Sequence, residues 1–246
     1  MKKLNEKIAF VTGGSRGMGA SISKRLAKEG ATVILTYSNS AEKADEVVKE
    51  ILASGGKAEA VKADSENPQE LAAVIENTIG KYKHIDILVN NAGIYIGKAF
   101  EEHTLADYQK IMDINVQAVF VASLTASKAM PAGGKIITIG SNMADNALAP
   151  QTTLYTMSKS ALQGFTRGLA RDLGQKGITV NLIQPGATNT DMNPADTDLA
   201  DFLRSRMAIP TYGTVDDIAG LVNFLAGDEG KYMTGSIITM DGGLNA

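Results

Sequence analysis

Short apolar runs alternate with helical patterns along the whole sequence, and this alternation constrains the fold more than any other feature. The runs span residues 8–12, 32–36, 58–62, 85–89, 135–139, 179–183 and 236–240. Helices are predicted over 18–29, 41–53, 68–79, 104–130, 153–174 and 214–226. Because the runs are apolar along their whole length, both of their faces should be buried, as in a parallel sheet. The sequence therefore predicts an α/β fold, a doubly wound parallel sheet of about seven strands with helices on both faces.

Composition and charge argue against several classes of partner. The 246 residues carry a net charge of −3 and contain no run of Lys or Arg, so we expect no nucleic-acid partner. No apolar run approaches the ~20 residues that span a bilayer, and the first residues do not resemble a signal peptide. We therefore expect no membrane partner and a cytoplasmic location. The chain has no cysteine, and His84 and His103 lack a second ligand at useful spacing, so no metal site is predicted.

A glycine-rich loop with the pattern TGxxxGxG follows the first predicted strand and precedes a helix. Glycines let backbone amides approach a pyrophosphate closely, and the N-terminus of a helix adds partial positive charge. A strand-to-helix turn without a ligand is the alternative interpretation. The position of the loop favours a dinucleotide cofactor, and hence a single NAD(P)-binding Rossmann domain over residues 1–246. The cofactor-binding candidates in the loop are Gly13, Ser15, Arg16, Gly17, Met18 and Gly19.

The end of the second predicted strand bears on which dinucleotide is bound. NAD sites usually place an Asp or Glu there to hold the ribose diol. Here the strand runs into Tyr37, Ser38 and Asn39, and no acid occurs before Glu42. The guanidinium of Arg16 and the nearby hydroxyls would bind a 2′-phosphate that a carboxylate would repel. The sequence therefore favours NADP(H) over NAD(H), with a solvated loop charge as the alternative role for Arg16.

Tyr155 and Lys159 lie four residues apart on a predicted helix and hence on one face of it. Such a pair alone is typical of a solvent-exposed helix. The fifth strand, however, leads into Ser141 at the sheet edge where ligands bind in open α/β folds. Lys159 is expected to lower the pKa of the Tyr155 phenol, ordinarily about 10. Ser141 would hydrogen-bond a substrate carbonyl, and the side chain or the freed carbonyl of Asn115 would hold a water that passes protons to Lys159.

Taken in order, these residues resemble the short-chain dehydrogenase/reductase family over nearly the whole chain. The resemblance rests on the TGxxxGxG loop, the run NNAG at 90–93, and Asn115, Ser141, Tyr155 and Lys159. It implies catalytic roles for those last four residues. It also implies adenine contact by Asp64 and a nicotinamide-side loop at Pro185-Gly186. The further cofactor-binding residues that it implies are Asn91, Ala92, Gly93, Tyr155, Lys159, Thr188 and Thr190.

Within the family, the chain is similar to bacterial 3-oxoacyl-carrier-protein reductases and related carbonyl reductases. It is also similar to a member that binds cyclic di-GMP and mediates biofilm dispersal. The resemblance implies an NADPH-dependent carbonyl reductase that converts ketones to secondary alcohols, assembled as a homotetramer or, second, a homodimer. A regulatory protein that binds a signalling dinucleotide is the alternative. The Ser-to-Tyr gap is one residue longer than in typical acyl-carrier-protein reductases, so the segment 142–154 differs from theirs. A long loop at 185–210 is expected to shape the substrate pocket.

Overall fold

The computed structural model describes residues 3–246 and contains one sheet of seven parallel strands. The strands are β1 (Ile8–Val11), β2 (Thr32–Tyr37), β3 (Lys57–Lys62), β4 (Ile87–Asn90), β5 (Lys135–Ile139), β6 (Thr179–Pro185) and β7 (Ile237–Met240). Their spatial order is β3-β2-β1-β4-β5-β6-β7, which confirms the predicted doubly wound sheet. The order reverses between β1 and β4, and the carboxyl ends of strands at such a switch point form the crevice where these sheets bind ligands.

Eight α-helices are found among the described residues, and they cover both faces of the sheet. They are α1 (Gly17–Lys28), α2 (Ala41–Ala53), α3 (Pro68–Tyr82), α4 (Leu105–Met112), α5 (Ala118–Ser127), α6 (Thr153–Gly174), α7 (Asp198–Arg206) and α8 (Val215–Ala226). Short 3-10 turns occur at Phe100–Glu102, Asn142–Ala144 and Asp228–Gly230. No helix within residues 3–246 is long and apolar enough to cross a membrane.

The core consists of two large apolar layers, one on each face of the sheet. Alternate residues of β1 point to opposite faces, so Ala9 and Val11 pack with α1, α2 and α8, while Ile8 and Phe10 pack with α3, α5 and α6. The central strands β1, β4, β5 and β6 are buried along their whole length. The edge strand β3 is only partly buried, because no strand pairs with its outer side.

Two segments differ from the sequence prediction. The helix predicted over 104–130 is interrupted by a π-helical turn, Asp113–Gln117, which separates α4 from α5. The apolar spacing continues through this turn and therefore does not reveal it. The predicted loop 185–210 contains α7, whose N-terminus is capped by the Thr197 side chain accepting from the amide of Ala200 at 3.2 Å. This helix has few buried positions, so its periodicity is weak.

Candidate active site

The glycine loop adopts a backbone that side chains would obstruct. Gly13 and Gly17 have φ angles of +65° and +53°, in the left-handed region that favours glycine. A Cβ added to Gly19 would lie 2.2 Å from the carbonyl oxygen of Gly13. The loop leads into α1, whose N-cap Arg16 forms no capping hydrogen bond through its side chain. The first turn of α1 also lacks an acid, so no side chain there offsets the partial positive charge of the helix N-terminus, which suits an anion.

Hydrogen bonds hold the glycine loop to the ends of β2 and β4. The hydroxyl of Thr12 accepts from the amides of Asn91 and Ala92, each at 3.0 Å. The side-chain amide of Asn91 donates to the carbonyls of Thr12 and Gly13, both at 3.0 Å, and the amide of Gly13 donates to the Thr36 hydroxyl at 3.1 Å. The side-chain amide of Asn91, predicted to contact the cofactor, is therefore engaged in shaping the loop, and the adjoining backbone remains to line the crevice.

The residues predicted to contact the adenosine lie beyond the ends of β2 and β3. Tyr37 ends β2, Ser38 and Asn39 follow it, and the amide of Ala63 donates to the Tyr37 carbonyl at 2.9 Å. Asp64 therefore lies beside this strand end, where its carboxylate accepts from the amide of Glu66 at 3.0 Å. The structure thus places all four predicted adenosine-side residues at one sheet edge.

A polar cleft of about 990 Å³ runs along the outer side of the glycine loop, between α1, α2 and the 189–194 segment. The cationic residues of its lining are Arg16, Lys24, Arg25, Lys28 and Lys43. Several are paired with acids, as Lys24 is with Glu50 at 2.5 Å and Lys43 with Asp191 at 3.7 Å. Arg16 is exposed at the mouth of this cleft.

The segment after β6 reaches back to the glycine loop. Pro185 ends β6, and Gly186 passes so close to Asp241 that an added Cβ would lie 2.3 Å from the Asp241 Cβ. The Thr188 hydroxyl donates to the Gly186 carbonyl at 3.1 Å. Farther along, the methyl group of Thr190 would lie 3.7 Å from a Cβ on Gly17. The predicted nicotinamide-side loop therefore lies across the crevice from α1.

Ser141, Tyr155 and Lys159 are brought together at the carboxyl end of β5. Ser141 follows that strand, and its hydroxyl accepts from the amide of Met143 at 3.2 Å. Lys159 is only 4% exposed, and its ammonium donates to the carbonyl of Ile139 at 3.0 Å. The same nitrogen lies 5.7 Å from the centroid of the Tyr155 ring. Tyr155 and Lys159 occupy one face of α6, as their spacing predicts.

The electrostatics of this cluster differ from the sequence prediction in one respect. Burial lowers the pKa of Lys159 to about 8, from 10.5 for a free lysine. Burial also raises the pKa of the Tyr155 phenol above its ordinary value, and the Ser141 hydroxyl opposes this rise only in part. The expected lowering of the Tyr155 pKa by Lys159 is therefore wrong for the protein without cofactor. Desolvation outweighs a charge that lies 5.7 Å from the ring centroid, and Tyr155 is a protonated donor at neutral pH.

Asn115 lies in the π-helical turn, and its side chain is fully engaged. Its amide oxygen accepts from the Ile94 amide at 2.9 Å, and its amide nitrogen donates to the Ile94 carbonyl and to the Ser158 hydroxyl, both at 3.0 Å. The sequence left open whether the side chain or the main-chain carbonyl would hold a water. Because these contacts engage the side chain, the main-chain carbonyl of Asn115 is the remaining candidate, and its role stays a prediction. Gly93 lies beside both, since a Cβ there would be 3.3 Å from Asn115 Oδ1 and from Lys159 Nζ.

One aromatic residue at the site was not singled out from the sequence. Tyr95 packs edge to face against Tyr155, with ring centroids 5.3 Å apart and an interplanar angle of 75°. Its position two residues after the run NNAG, in the loop that follows β4, is the sequence signal that would have identified it. Among residues 3–246, no cluster of three or more acidic or histidine side chains could hold a metal ion.

Known proteins match this chain along nearly its whole length. The sequence family described as enoyl-(acyl carrier protein) reductase matches residues 13–245. The cyclic-di-GMP-binding biofilm dispersal mediator protein of Escherichia coli is 41% identical over 241 residues, 98% of each chain. The 3-oxoacyl-[acyl-carrier-protein] reductase of Synechocystis is 37% identical over 247 residues, 99% of each chain. The crystal structure of a short-chain dehydrogenase from Burkholderia cenocepacia in complex with NADP is 49% identical and superposes with a TM-score of 0.97, covering 99% of this chain and 100% of that one.

Proposed function

This chain belongs to the short-chain dehydrogenase/reductase family of oxidoreductases, and from that membership we propose that it is an NADPH-dependent carbonyl reductase. Its reaction is the reversible reduction of a ketone to a secondary alcohol. The observation that carries the proposal is the convergence of Ser141, Tyr155 and a buried Lys159 at the carboxyl end of β5, beside the glycine-loop crevice. A protein that only bound nucleotides would not need this set.

The residues of the crevice fit a dinucleotide with a 2′-phosphate. The left-handed Gly13 and Gly17 and the uncapped N-terminus of α1 form a cradle for a pyrophosphate. At the adenosine end, Tyr37, Ser38 and Asn39 bring no carboxylate, and Arg16 supplies a cation. The Burkholderia relative, which is similar along its whole length, was crystallised with NADP. The remaining residues that we propose to line the cofactor site are Ser15, Met18, Gly19, Asp64, Asn91, Ala92, Gly93, Pro185, Gly186, Thr188 and Thr190.

The protein's own groups would handle the proton and the developing negative charge. Bound nicotinamide supplies the hydride that the carbonyl carbon accepts. The Ser141 and Tyr155 hydroxyls donate hydrogen bonds to the carbonyl oxygen, and as charge develops there Tyr155 transfers its proton to it. The Lys159 ammonium stabilises the resulting phenolate. Tyr155 is then reprotonated from Lys159, which recovers its proton through water held at the Asn115 carbonyl.

The 185–210 segment, including α7, is the part of the chain that we propose to shape the substrate pocket. It carries exposed apolar side chains, among them Met192, Leu199 and Phe202. Such side chains suit a hydrophobic ketone better than a charged one. We further propose a homotetramer, with a homodimer as the second choice. An apolar groove lined by Phe120, Phe165 and their neighbours on α5 and α6 offers a surface for subunit contact.

A second candidate function is the binding of a signalling dinucleotide such as cyclic di-GMP. The Escherichia coli relative is described as a cyclic-di-GMP-binding protein. In the cleft beside α1, Lys24, Arg25 and Lys43 are paired with acids, whereas Arg16 and Lys28 form no salt bridge among the described residues and suit paired phosphates. The cleft shares Ser15, Arg16, Gly17 and Thr190 with the cofactor site that we propose, so a dinucleotide bound there would compete with NADPH.

Absorbance of the reduced nicotinamide, followed with NADPH and NADH separately, tests the proposal. The panel comprises simple ketones, diketones and 3-oxoacyl thioesters, with Tyr155→Phe as the control for background oxidation. We expect NADPH-dependent turnover on at least one class, lost in Tyr155→Phe. Tight NADPH binding without turnover on the whole panel would refute the reductase proposal. A titration with cyclic di-GMP, with and without NADPH, would then test the second candidate.

A further inference from the structure

Tyr95 contacts the reaction centre from outside the Ser–Tyr–Lys set. Its ring meets the ring of Tyr155 at 5.3 Å between centroids, in the edge-to-face geometry that aromatic pairs favour. Tyr95 nevertheless remains 43% exposed. It therefore borders both the catalytic phenol and open space, which is the location of a residue that would form one wall of a substrate site.

The hydroxyl of Tyr95 makes a second contact, to the segment 142–154. It donates to the carbonyl of Gln151 at 3.2 Å. Gln151 has a φ of +66°, a left-handed conformation that a non-glycine residue rarely adopts without support. The hydroxyl remains protonated for this donation, since burial raises the pKa of Tyr95. Tyr95 thus holds the segment at the strained residue that lies four positions before Tyr155.

The main chain around Tyr95 is itself fixed. Both the amide and the carbonyl of the preceding residue, Ile94, are bonded to the Asn115 side chain at 2.9 and 3.0 Å. On the other side, the chain folds against the ring at Gly97, where a Cβ would lie 2.7 Å from one ring carbon and from the hydroxyl oxygen of Tyr95. The π-helical turn therefore anchors Ile94, and Ile94 and Gly97 orient Tyr95.

We propose that Tyr95 is a positioning and specificity-determining residue. Its ring supports Tyr155, and its hydroxyl bonds the segment 142–154 to the loop that follows β4, so that Tyr95 fixes the size of the group that can lie beside the reacting carbonyl. This inference rests on the proposed carbonyl reduction for its substrate. The hydrogen bond from Tyr95 to Gln151 does not depend on a substrate, so its role in holding the segment can be tested without turnover.

Two substitutions separate the two contacts. Tyr95→Phe removes the hydroxyl and keeps the ring, whereas Tyr95→Ala removes both. Tyr108→Phe is the matched control, because Tyr108 is 42% exposed on α4 and has no contact with Tyr155 or Gln151 among the contacts of the described residues. Amide hydrogen exchange over 145–152, and kcat and KM on ketones of increasing size, are measured for all three and for the wild type.

We expect Tyr95→Phe to speed exchange over 145–152 by about two- to tenfold, the range that one net hydrogen bond supports, and to raise KM more than it lowers kcat. Tyr95→Ala should increase the kcat/KM ratio of bulky to small ketones by about tenfold, because a wall of the site is gone. Tyr108→Phe should match the wild type in both measurements.

The positioning role of the Tyr95 hydroxyl is overturned if the amides over 145–152 exchange in Tyr95→Phe at the wild-type rate. The specificity role is overturned if Tyr95→Ala leaves the bulky-to-small ratio unchanged. Absence of turnover in the wild type on every ketone would overturn the proposed function and, with it, the specificity role. The exchange measurement would still decide whether Tyr95 positions the segment.

Discussion

The glycine loop and the segment 142–154 both follow carboxyl ends of central strands, yet they are held in different ways. The glycine loop is fixed by close backbone approach and by bonds from residues next to it on neighbouring strands. The segment 142–154 is held by single hydrogen bonds from side chains outside it, such as the Tyr95 hydroxyl to the Gln151 carbonyl at 3.2 Å and the Ser160 hydroxyl to the Ala144 carbonyl at 2.8 Å. The first arrangement suits a constant ligand, the cofactor. The second allows the segment 142–154 on the substrate side to change in conformation or sequence without disturbing the glycine loop.

Of our predictions, Tyr155→Phe should have the largest effect, because it should abolish most catalysis at the substrate side while leaving cofactor binding intact. Removing the proton donor should lower kcat by about 10²–10⁴-fold, the usual contribution of general acid catalysis. The Kd for NADPH, measured by fluorescence titration, should stay within about threefold, a change of only ~0.6 kcal/mol. Substantial residual turnover would mean that another group donates the proton.

Gly19→Ala should have the opposite pattern and weaken cofactor binding at the glycine loop. The added methyl would lie 2.2 Å from the Gly13 carbonyl, and relief of such overpacking costs about 1–3 kcal/mol. We expect NADPH affinity to fall by about 10- to 100-fold. The matched control is Gly80→Ala in α3, where nothing lies within 4 Å of an added Cβ, and it should bind NADPH as the wild type does. Equal binding by both variants would show that the loop tolerates a side chain.

Arg16→Ala should affect the binding of NADPH and NADH differently. An exposed guanidinium on a phosphate is a charge-assisted contact, and its loss should weaken NADPH by about tenfold. NADH, which lacks the 2′-phosphate, should be weakened by much less. Comparison of the two dissociation constants at low and at high salt checks this, since screening should reduce the NADPH effect. Equal losses for both cofactors would contradict the assigned role.

The smallest effect that we predict is in the pH dependence of reduction. Because burial lowers the pKa of Lys159 to about 8, the ammonium is present below that pH and is lost as the pH rises through it. The Tyr155 phenol, with a raised pKa, stays protonated over this range. We therefore expect kcat/KM for ketone reduction to fall severalfold between about pH 7 and 9. A profile that is flat from pH 6 to 10 would contradict this assignment.

The sequence predicts the fold well because each central strand is buried on both faces, so its apolar run is unbroken. The bounds of β5, α2 and α6 agree with prediction to the residue. The same physics explains the failures. The short α7 buries little, and the π turn leaves the apolar spacing intact, so the hydrophobic pattern carries little information about either of them.

The candidate site is predictable where residue type alone sets the geometry. The backbone at positions 13 and 17 is left-handed, a conformation that favours glycine. The spacing of Tyr155 and Lys159 places both on one face of a helix. Contacts between distant segments cannot be obtained in this way. The engagement of Asn115 with Ile94, the packing of Tyr95 on Tyr155 and the raised pKa of Tyr155 all depend on burial and on three-dimensional neighbours.

The π turn at Asp113–Gln117 has a consequence for the redesign of this chain. A π turn is equivalent to one residue inserted into an α-helix, so deleting a single residue there would restore a continuous and more regular helix. Every residue after the deletion would rotate by about 100° relative to those before it. Asn115 would then lose its alignment with Ile94. A design procedure that rewards helical regularity would therefore select the variant that has lost the contact from the π turn to Ile94 beside the reaction centre.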